Sequence, residues 1–451
     1  MNILTIVFSW LLLACTKKND FAPAPVNDDP VQYGTPYAQV PDAADAVIYQ
    51  VNLRAFSKSA NFKGLQERLD SIRALGVNVL YLMPVYPIGA IKSVNSPYCV
   101  KDYMAVNPEF GTLDDLRTLV DAAHQRQMAV MMDWVANHTA WDNAWINNKS
   151  WYAQDGNGNI ISPPGTGWND VAQLNFQNAD MRKAMISAIK YWIYTANIDG
   201  YRCDAADFVP QDFWKQAIDS LRGITTHKLL LLAEGSRNNH FSTGFDLMYG
   251  MGFYYNMVNN IFKKHGAVSS VDSVNAVEYT NAAPGNRVVR YTSNHDVNHT
   301  DGTPLDLLGG RQGSLAAFTV AAYWQTAPML YNGQEVGCPV KLNFFNSSTT
   351  IDWSINADMK AAYKKIIGFR NSSEAVKRGQ LTAYAHADVC AFMRSLNNEK
   401  VLVIANCRNT PVQYTLPFAI SNWKNIMTGN DTSINGDITL APYEYMILQQ
   451  P

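Results

Sequence analysis

Four short segments of the sequence combine acidic, basic and amide side chains in a way that suits bond cleavage. Each segment follows a short apolar run that we predict to be a β-strand. An Asp or Asn after one strand commonly caps the next helix, but this explanation becomes weak for four strands in register. We therefore predict a catalytic site where these strands end. The segments are 133–138 (DWVANH), 200–204 (GYRCD), 232–235 (LAEG) and 293–296 (SNHD).

Three acids in these segments, Asp204, Glu234 and Asp296, suit the cleavage of a glycosidic bond. That reaction needs one protonated carboxyl to donate to the leaving oxygen and one ionised carboxylate to attack or to activate water. Different surroundings must separate the pKa values of the two groups. Arg202 precedes Asp204 by two residues and projects on the same side of its strand, so it can keep that carboxylate charged.

Metal-dependent hydrolysis is the alternative for a cluster of acids and histidines. The two histidines, His138 and His295, follow different predicted strands and form no helical i, i+4 ligand pair. The cysteines match no zinc pattern, because they lie far apart in the sequence. We therefore expect chemistry that requires no cofactor.

Eight short apolar runs between residues 46 and 370 alternate with segments of helical period. Repeated βα units of this number predict an α/β fold, a parallel (β/α)8 TIM barrel whose catalytic side chains emerge from the carboxyl ends of the strands. A long connection rich in Trp, Asn, Gly and Pro follows the third strand, and such loops are uncommon unless functional. The predicted strands are 47–51, 78–82, 128–133, 199–203, 229–233, 245–249, 288–292 and 329–331.

Changes in pattern along the chain suggest four parts. An apolar leader at 1–15 is followed by a segment at 16–45 that is rich in Pro, Asp and Asn, which we predict to be a flexible tether. The barrel occupies 46–373. From 374 to 451 short alternating runs predict a C-terminal antiparallel β-sandwich domain.

In these motifs the sequence resembles the α-amylase family of glycoside hydrolases, over nearly the whole chain from about residue 46. The resemblance implies a TIM barrel with a short domain B at 138–175. The segments that match, in chain order, are 97–103 and 110–112 (the family's G-Y-x-x-x-D-Y and F-G-T), 133–138 (D-x-V-x-N-H), 200–204 (G-x-R-x-D), Glu234 (the lone glutamate after strand five), 294–296 (N-H-D) and 327–335 (G-x-P-x-x-Y-x-G-x-E).

The resemblance implies a retaining double displacement on an α-glucan. Asp204 would be the nucleophile, Glu234 the general acid and base, and Asp296 the carboxylate that stabilises the transition state. The carboxyls of Asp204 and Glu234 are then expected about 5 to 5.5 Å apart. The residues expected by the same resemblance to hold the nucleophile or the substrate are Arg202, His138, His295, Tyr98 and Asp102.

The sequence departs from the family directly after Asp204. Many members read D-A-x-K-H there, whereas this chain has Asp207 and Phe208, which puts a leaving-side sugar contact and a calcium contact in doubt. The segment after strand one also lacks the dense oxygen ligands that calcium requires. A structural calcium at Asn137, helped by an acid of the long loop such as Asp155 or Asp170, stays open.

Ala205, the small residue after Asp204, favours α-1,4 cleavage, since in the family this position is often larger in relatives that prefer α-1,6 bonds. The resemblance as a whole implies an endo-acting enzyme of the α-amylase type. A glucanotransferase or an α-1,6-active relative of the neopullulanase or oligoglucosidase type would use the same acids. A non-catalytic glucan-binding protein is disfavoured because all three acids are kept. Five rings of the long loop could line a glucan cleft or pin the loop: Trp141, Trp145, Trp151, Tyr152 and Trp168.

The leader and the charge balance bear on location and partners. The run 12–15 (LLAC) resembles a bacterial lipobox, so we predict export and a lipid anchor on Cys15, at the outer membrane or cell surface, with the periplasm as an alternative. With 36 basic and 38 acidic residues the chain has no basic field for nucleic acid. We expect a monomer. Cys390 and Cys407 could pair, but buried free thiols are the favoured interpretation.

Overall fold

The computed structural model describes residues 29–451, so the predicted leader, the lipobox at Cys15 and the first part of the tether lie outside the described residues. Eight parallel strands form a closed barrel in which each strand pairs with the next in sequence and the last pairs with the first. The strands are β1 (Ile48–Val51), β2 (Val79–Leu82), β3 (Ala129–Trp134), β4 (Gly200–Cys203), β5 (Leu230–Ala233), β6 (Leu247–Tyr249), β7 (Arg287–Arg290) and β8 (Thr326–Tyr331).

The predicted TIM barrel is confirmed, and every predicted barrel strand overlaps an observed one. All eight strands are buried along their whole length, as expected for a parallel sheet covered by helices outside and filled by side chains inside. The α-helices in the described part are Leu53–Phe56, Phe62–Gln66, Leu69–Arg73, Leu113–Gln125, Ala179–Ala196, Gln211–Arg222, His240–Thr243, Met251–Tyr255, Ser270–Glu278, His295–Thr300, Pro304–Leu307, Gly310–Tyr323, Ala357–Ser372 and Glu374–Arg378.

Local sequence signals explain where the longer helices begin and end. The helix Leu113–Gln125 starts with a capping box, in which Thr112 and Asp115 each bond the backbone N–H of the other. The helix Ala179–Ala196 starts after Asn178, whose side chain accepts the N–H groups of two first-turn residues. It ends at Asn197 in the left-handed conformation. Short 3-10 turns lie at Ala144–Asn147, Lys149–Trp151, Ala206–Phe208 and Gln334–Val336, and a π-helical segment at Asn256–Lys263.

Part of the predicted tether is packed against the barrel. The Tyr33 hydroxyl donates to Asp121 Oδ2 at 2.7 Å, and the Tyr37 ring stacks on His124 with centroids 4.4 Å apart. Val40 is buried. The tether prediction is therefore wrong for residues 29–45, because aromatic and hydrogen-bonding side chains hidden in a polar, proline-rich context tie this stretch to the barrel helices.

The excursion after β3 is a small domain B. Its strands His138–Ala140 and Val171–Gln173 pair in antiparallel fashion, so the loop leaves the barrel and returns to it at one place. The indole of Trp141 donates to the backbone of Asn169 within it. Lys92, from the loop after β2, places its ammonium 3.6 Å from the Trp141 ring centre and so connects that loop to domain B.

The C-terminal domain consists of two antiparallel sheets that share one core, as predicted. Leu402 and Leu448 of the larger sheet pack with Tyr414 and Leu440 of the smaller one. The strands are β9 (Gln380–Tyr384), β10 (Val389–Leu396), β11 (Glu399–Asn406), β12 (Val412–Thr415), β13 (Ile420–Asn425), β14 (Asp431–Ile434), β15 (Asp437–Leu440) and β16 (Tyr445–Gln449), with the order β9-β10-β11-β16-β13-β14 in the larger sheet and β12-β15 in the smaller.

Arg408 connects this domain to the barrel. Its buried guanidinium donates to the backbone oxygens of Ile261 at 2.9 Å and Gly266 at 2.7 Å, and to Asp388 Oδ1 at 2.7 Å. No helix within residues 29–451 is long and apolar enough to cross a bilayer. The cysteines of this part are buried free thiols, Cys390 and Cys407 included, which agrees with the favoured interpretation.

Candidate active site

The ends of β3, β4 and β5 bring three carboxylates around one guanidinium. Arg202 Nη1 donates to Asp133 Oδ1 and to Asp204 Oδ1, both at 2.7 Å. Its Nη2 lies 2.5 Å from Glu234 Oε1. Arg202 and Asp133 are completely buried, and Asp204 is nearly so. The period-two placement of Arg202 and Asp204 on β4 thus gives the predicted contact.

The charge balance of this cluster favours retention of a proton. Burial raises the pKa of Asp133 to about 6, with Glu234 adding to the effect and Arg202 opposing it. Burial also raises the pKa of Asp204, again against the opposing charge of Arg202. Because three carboxylates face one cation, full ionisation would leave excess negative charge in a desolvated site. One carboxyl can therefore stay protonated, as a general acid must.

A hydrogen-bonded chain joins the predicted sugar-binding groups to the carboxylate cluster. Tyr98 Oη lies 2.6 Å from His295 Nε2 and 3.0 Å from Asp133 Oδ2. On the other side of the ring, Gln50 Nε2 donates to His295 Nδ1 at 2.8 Å. Because Nδ1 accepts this hydrogen bond, the proton of the neutral His295 ring is assigned to Nε2. His295 Nε2–H then donates to the Tyr98 hydroxyl, and the Tyr98 hydroxyl donates to Asp133 Oδ2.

Both predicted histidines are neutral. Burial lowers the pKa of His295 to about 3 and that of His138 to about 4. The amide nitrogen of Asn137 lies 3.2 Å from His138 Nδ1, while His138 Nε2 lies 3.3 Å from the backbone oxygen of Tyr98. As neutral imidazoles, both rings add no charge to the site.

The acids open onto a cleft of about 600 Å³ at the carboxyl end of the barrel. Its size is typical of a site for a small ligand. Asp204, Glu234 and Asp296 all face this cleft, and the Asp296 side chain is 49% exposed. The other lining residues are Lys92, Val94, Ser96, Tyr98, His138, Gly167, Trp168, Asn169, Asp170, Val171, Ala205, His295, His299, Thr300, Phe344 and Phe345.

Of the five rings in the long loop, only Trp168 lines the cleft. Its ring contacts His138, with centroids 5.6 Å apart, and Phe208, at 5.5 Å. Tyr152 is buried, and its hydroxyl lies 2.8 Å from Thr139 Oγ1. Trp141, Trp145 and Trp151 pack within domain B or against the barrel. Four of the five rings therefore pin the loop to the protein, and Trp168 alone lines the cleft.

Two residues predicted to bind substrate, Asp102 and Arg202, do not line the cleft. Asp102 is exposed, does not line the cleft, and accepts the backbone N–H of Met104 at 2.8 Å. Its predicted role in substrate binding is wrong, because the segment that carries it turns outward before Tyr103 re-enters the core. Arg202 lies beneath the cleft and touches the acids, so it positions them and does not contact sugar.

Two of the residues proposed for calcium, Asn137 and Asp155, have side-chain oxygens that accept hydrogen bonds within the protein. The amide oxygen of Asn137 accepts Gln173 Nε2 at 3.0 Å, and Asp155 caps its own turn by accepting the N–H groups of Asn157 and Asn159. Among residues 29–451 no three His, Cys, Asp or Glu side chains are grouped for a metal. Calcium takes six to eight oxygen ligands, backbone and amide carbonyls included, and the calcium site at Asn137 stays a prediction.

Several site residues were missed from the sequence. Asp133 stood in a quoted motif and could have been found there, since it lies in β3 directly beside Arg202 of β4. Gln50, which orients His295, lies on β1 in an otherwise apolar run, and this buried amide was the available signal. Phe344 and Phe345 lie in an irregular loop after β8 whose sequence gives no sign of cleft lining.

Two parts of the chain match known family models, and relatives of known name align with most of its length. Residues 48–157 match the family model described as alpha amylase, catalytic domain, and residues 380–447 match the maltogenic amylase C-terminal domain. Alpha-amylase 2 of Dictyoglomus thermophilum is 25% identical over 409 residues, which cover 85% of this chain and 70% of that protein. Trehalose-6-phosphate hydrolase of Bacillus subtilis is 23% identical, over 91% of this chain and 98% of its own length.

A solved structure supports the same fold. The crystal structure of an alpha-amylase from Lactobacillus plantarum superposes with a TM-score of 0.81 at 23% identity. The match covers 90% of this chain and 99% of that one, so the likeness in fold extends over nearly the whole of both chains.

Proposed function

We propose that the chain is a glycoside hydrolase of the α-amylase family, whose catalytic-domain model it matches over residues 48–157, and that it hydrolyses α-1,4-glucosidic bonds of starch-like glucans or maltooligosaccharides with retention of configuration. One observation carries the proposal. Asp204 and Glu234 are held by the two ends of one buried guanidinium, and both face a cleft that a neutral sugar can enter. Cleft walls of rings and hydroxyls suit a substrate that offers stacking faces rather than charge.

In the first step, Asp204 attacks the anomeric carbon while the carboxyl of Glu234 gives its proton to the glycosidic oxygen. The bond to the leaving sugar breaks, and a glycosyl ester forms on Asp204. Arg202 donates a hydrogen bond to Asp204 and so aims it, and the positive charge of Arg202 opposes the burial that raises the pKa of this carboxyl. Asp296, at the open side of the cleft, stabilises the positive charge that develops at the sugar ring.

In the second step, Glu234 takes a proton from a water molecule, which attacks the anomeric carbon and releases Asp204. Two inversions give net retention. His138 and His295 line the cleft beside Tyr98 as neutral rings, so they add no charge to the place where the reacting sugar is proposed to bind. The residues present supply the acid, the base and the nucleophile without a cofactor.

The bond preference rests on the space next to the nucleophile. Ala205 lines the cleft with only a methyl group, which leaves room for an α-1,4-linked chain. Endo action is part of this proposal. A transferase or an α-1,6-active enzyme would use the same acids, so products must distinguish them.

The test is incubation of the purified protein with amylose, pullulan and maltotriose, with the products separated and the first-released anomer read by NMR. We expect a ladder of maltooligosaccharides from amylose in the α-configuration and little product from pullulan. Longer products from maltotriose would indicate a transferase, preferential attack on pullulan an α-1,6-active enzyme, and binding without new reducing ends a non-catalytic protein.

We also propose that the protein is exported and anchored through a lipid on Cys15, on the strength of the lipobox-like segment 12–15. Labelled fatty acid should enter the expressed protein and should not enter its Cys15→Ser variant. The catalytic body is proposed to act as a monomer, which sedimentation of the protein without the leader can measure.

A further inference from the structure

The loops after β4 and β5 are joined by a ladder of hydrogen bonds around Glu234. Glu234 N–H donates to the Cys203 oxygen at 3.0 Å, and Ala206 N–H donates to the Glu234 oxygen at 2.8 Å. Ala205 N–H donates to Glu234 Oε2 at 2.7 Å. The nucleophile loop and the acid loop therefore share one backbone frame.

Asp207 extends this ladder beyond the acid. Its Oδ2 accepts the N–H of Ser236 at 2.9 Å and the hydroxyl of Ser236 at 3.1 Å, and its Oδ1 accepts the N–H of Arg237 at 3.2 Å. His240 Nε2 lies 2.7 Å from the same Oδ1. Each bond holds the loop that immediately follows Glu234.

Gly235 makes this close approach feasible. A Cβ at Gly235 would overlap Asp207 Oδ1 and His240 Nε2, so any side chain there would push the pair away from the loop. Asp207 stands where many relatives have a lysine, and neither Asp207 nor His240 lines the cleft. The pair therefore acts on the loop and not on a sugar.

The negative charge of the Asp207 carboxylate strengthens the hydrogen bonds that it accepts. Burial acts to raise the pKa of Asp207, but hydrogen bonds from His240 and from two backbone N–H groups outweigh it and lower the pKa to about 2. The carboxylate is thus ionised at every working pH, and hydrogen bonds to an ionised acceptor are short and strong. His240 is 2% exposed, and its ring edge meets Phe245, which limits its movement.

We propose that Asp207 and His240 are positioning residues for Glu234, fixing the direction in which its carboxyl meets the leaving glycosidic oxygen. The inference rests on the proposed role of Glu234 as general acid. Displacement of a catalytic group by about 1 Å can lower a rate about 100-fold, so loss of the anchor should act on protonation of the leaving group.

The experiment compares two substrates whose leaving groups differ in how much they depend on protonation by a general acid. Maltotriose has a poor leaving group that must be protonated, whereas α-maltosyl fluoride releases fluoride with little help. For Asp207→Ala we expect kcat/KM to fall about 10- to 100-fold on maltotriose and less than about threefold on the fluoride. KM for maltotriose should change little. Asp207→Asn, which keeps an acceptor for Ser236, should recover part of the loss.

Asp246 offers a matched control at the other end of β5. Its Oδ2 accepts the N–H of Leu231 at 2.8 Å and an Arg222 nitrogen at 2.6 Å, and its side chain is about as exposed as that of Asp207, 32% against 29%. Asp246→Ala should lower Tm similarly without altering the ratio of kcat/KM on the two substrates.

Glu234→Gln, measured alongside, distinguishes failure of the positioning role from failure of the proposed function. If Glu234→Gln keeps activity on the fluoride and Asp207→Ala loses both activities equally or neither, the positioning role is overturned while the general acid stands. If Glu234→Gln shows no preference for the fluoride, the proposed function itself fails. His240→Ala should follow Asp207→Ala in direction, and a His240→Ala variant with an unchanged ratio would also overturn the pair.

Discussion

The hydroxyl of Tyr98 lies 2.6 Å from Nε2 of His295, and this contact joins the loop after β2 to the end of β7. The two rings are also nearly parallel, at 20°, with centroids 5.4 Å apart. Since the same hydroxyl reaches Asp133, which Arg202 holds beside Asp204, the floor of the cleft and the charged cluster form one hydrogen-bonded unit.

Removal of that hydroxyl should therefore affect catalysis. Tyr98→Phe leaves His295 Nε2–H and Asp133 Oδ2 without this partner, which costs about 1 to 3 kcal/mol, or about 5- to 160-fold in kcat/KM on maltooligosaccharides. Tyr86→Phe is the control, because the buried Tyr86 hydroxyl donates to the backbone oxygen of Asp133 at 2.7 Å. It should lower Tm but leave kcat/KM within about threefold, and equal kinetic losses in both would contradict the expectation.

The three acids should be individually indispensable. We expect Asp204→Asn, Glu234→Gln and Asp296→Asn each to lower kcat on starch by about 10³-fold or more, with Tm maintained. Asp102→Asn provides a control outside the cleft and should retain nearly full activity. A single acid variant with close to full activity would remove that residue from the mechanism.

The neutral histidines predict a loss of stability in acid. Their folded pKa values, about 4 for His138 and about 3 for His295, lie below the ordinary value, so at lower pH the unfolded chain binds protons that the folded state refuses. The stabilisation is complete above about pH 6.5 and is lost as the pH falls toward 4.

Denaturant titrations at pH 7 and 4.5 measure this effect. The decrease in unfolding free energy between the two pH values should be smaller in His138→Gln than in the unchanged protein by about 2 to 3 kcal/mol. Comparison of the two proteins cancels the carboxylates with raised pKa, whose contribution has the opposite sign. Parallel decreases in both proteins would show that His138 is protonated in the folded state.

Chelation should not destabilise the described fold. Since the side-chain oxygen of Asn137 is bonded to Gln173 and Asp155 caps its own turn, we expect EDTA to change Tm by less than about 2 °C. Thermal unfolding followed by fluorescence, before and after dialysis and with calcium restored, measures this. A larger decrease that calcium reverses would indicate a cation site built from other residues.

Much of the barrel could be predicted because its strands carry a local signal. Each strand is a short apolar run between helical segments, and that pattern depends on nearest neighbours in the sequence. The position of Arg202 against Asp204 could be predicted for the same reason, since it follows from the geometry of one strand.

Contacts between distant segments could not be predicted in this way. Gln50 meets His295 across 245 positions, and Phe344 reaches the cleft from an irregular loop, so neither follows from local period or motif. The prediction that Asp102 binds substrate failed for a related reason. A motif identifies the residue, but it does not show the direction in which the loop that carries it turns. The packed stretch 29–45 is held by single side chains such as Tyr33 and Tyr37 within a composition typical of linkers.

The guanidinium of Arg408 has a thermodynamic consequence for the whole chain. It satisfies carbonyl groups of Ile261 and Gly266 on the barrel side while it remains paired with Asp388 on the sheet side. Separation of the two domains would exchange these buried hydrogen bonds for bonds to water and expose the apolar surface around them. We therefore expect the sheets and the barrel to unfold together as one cooperative unit.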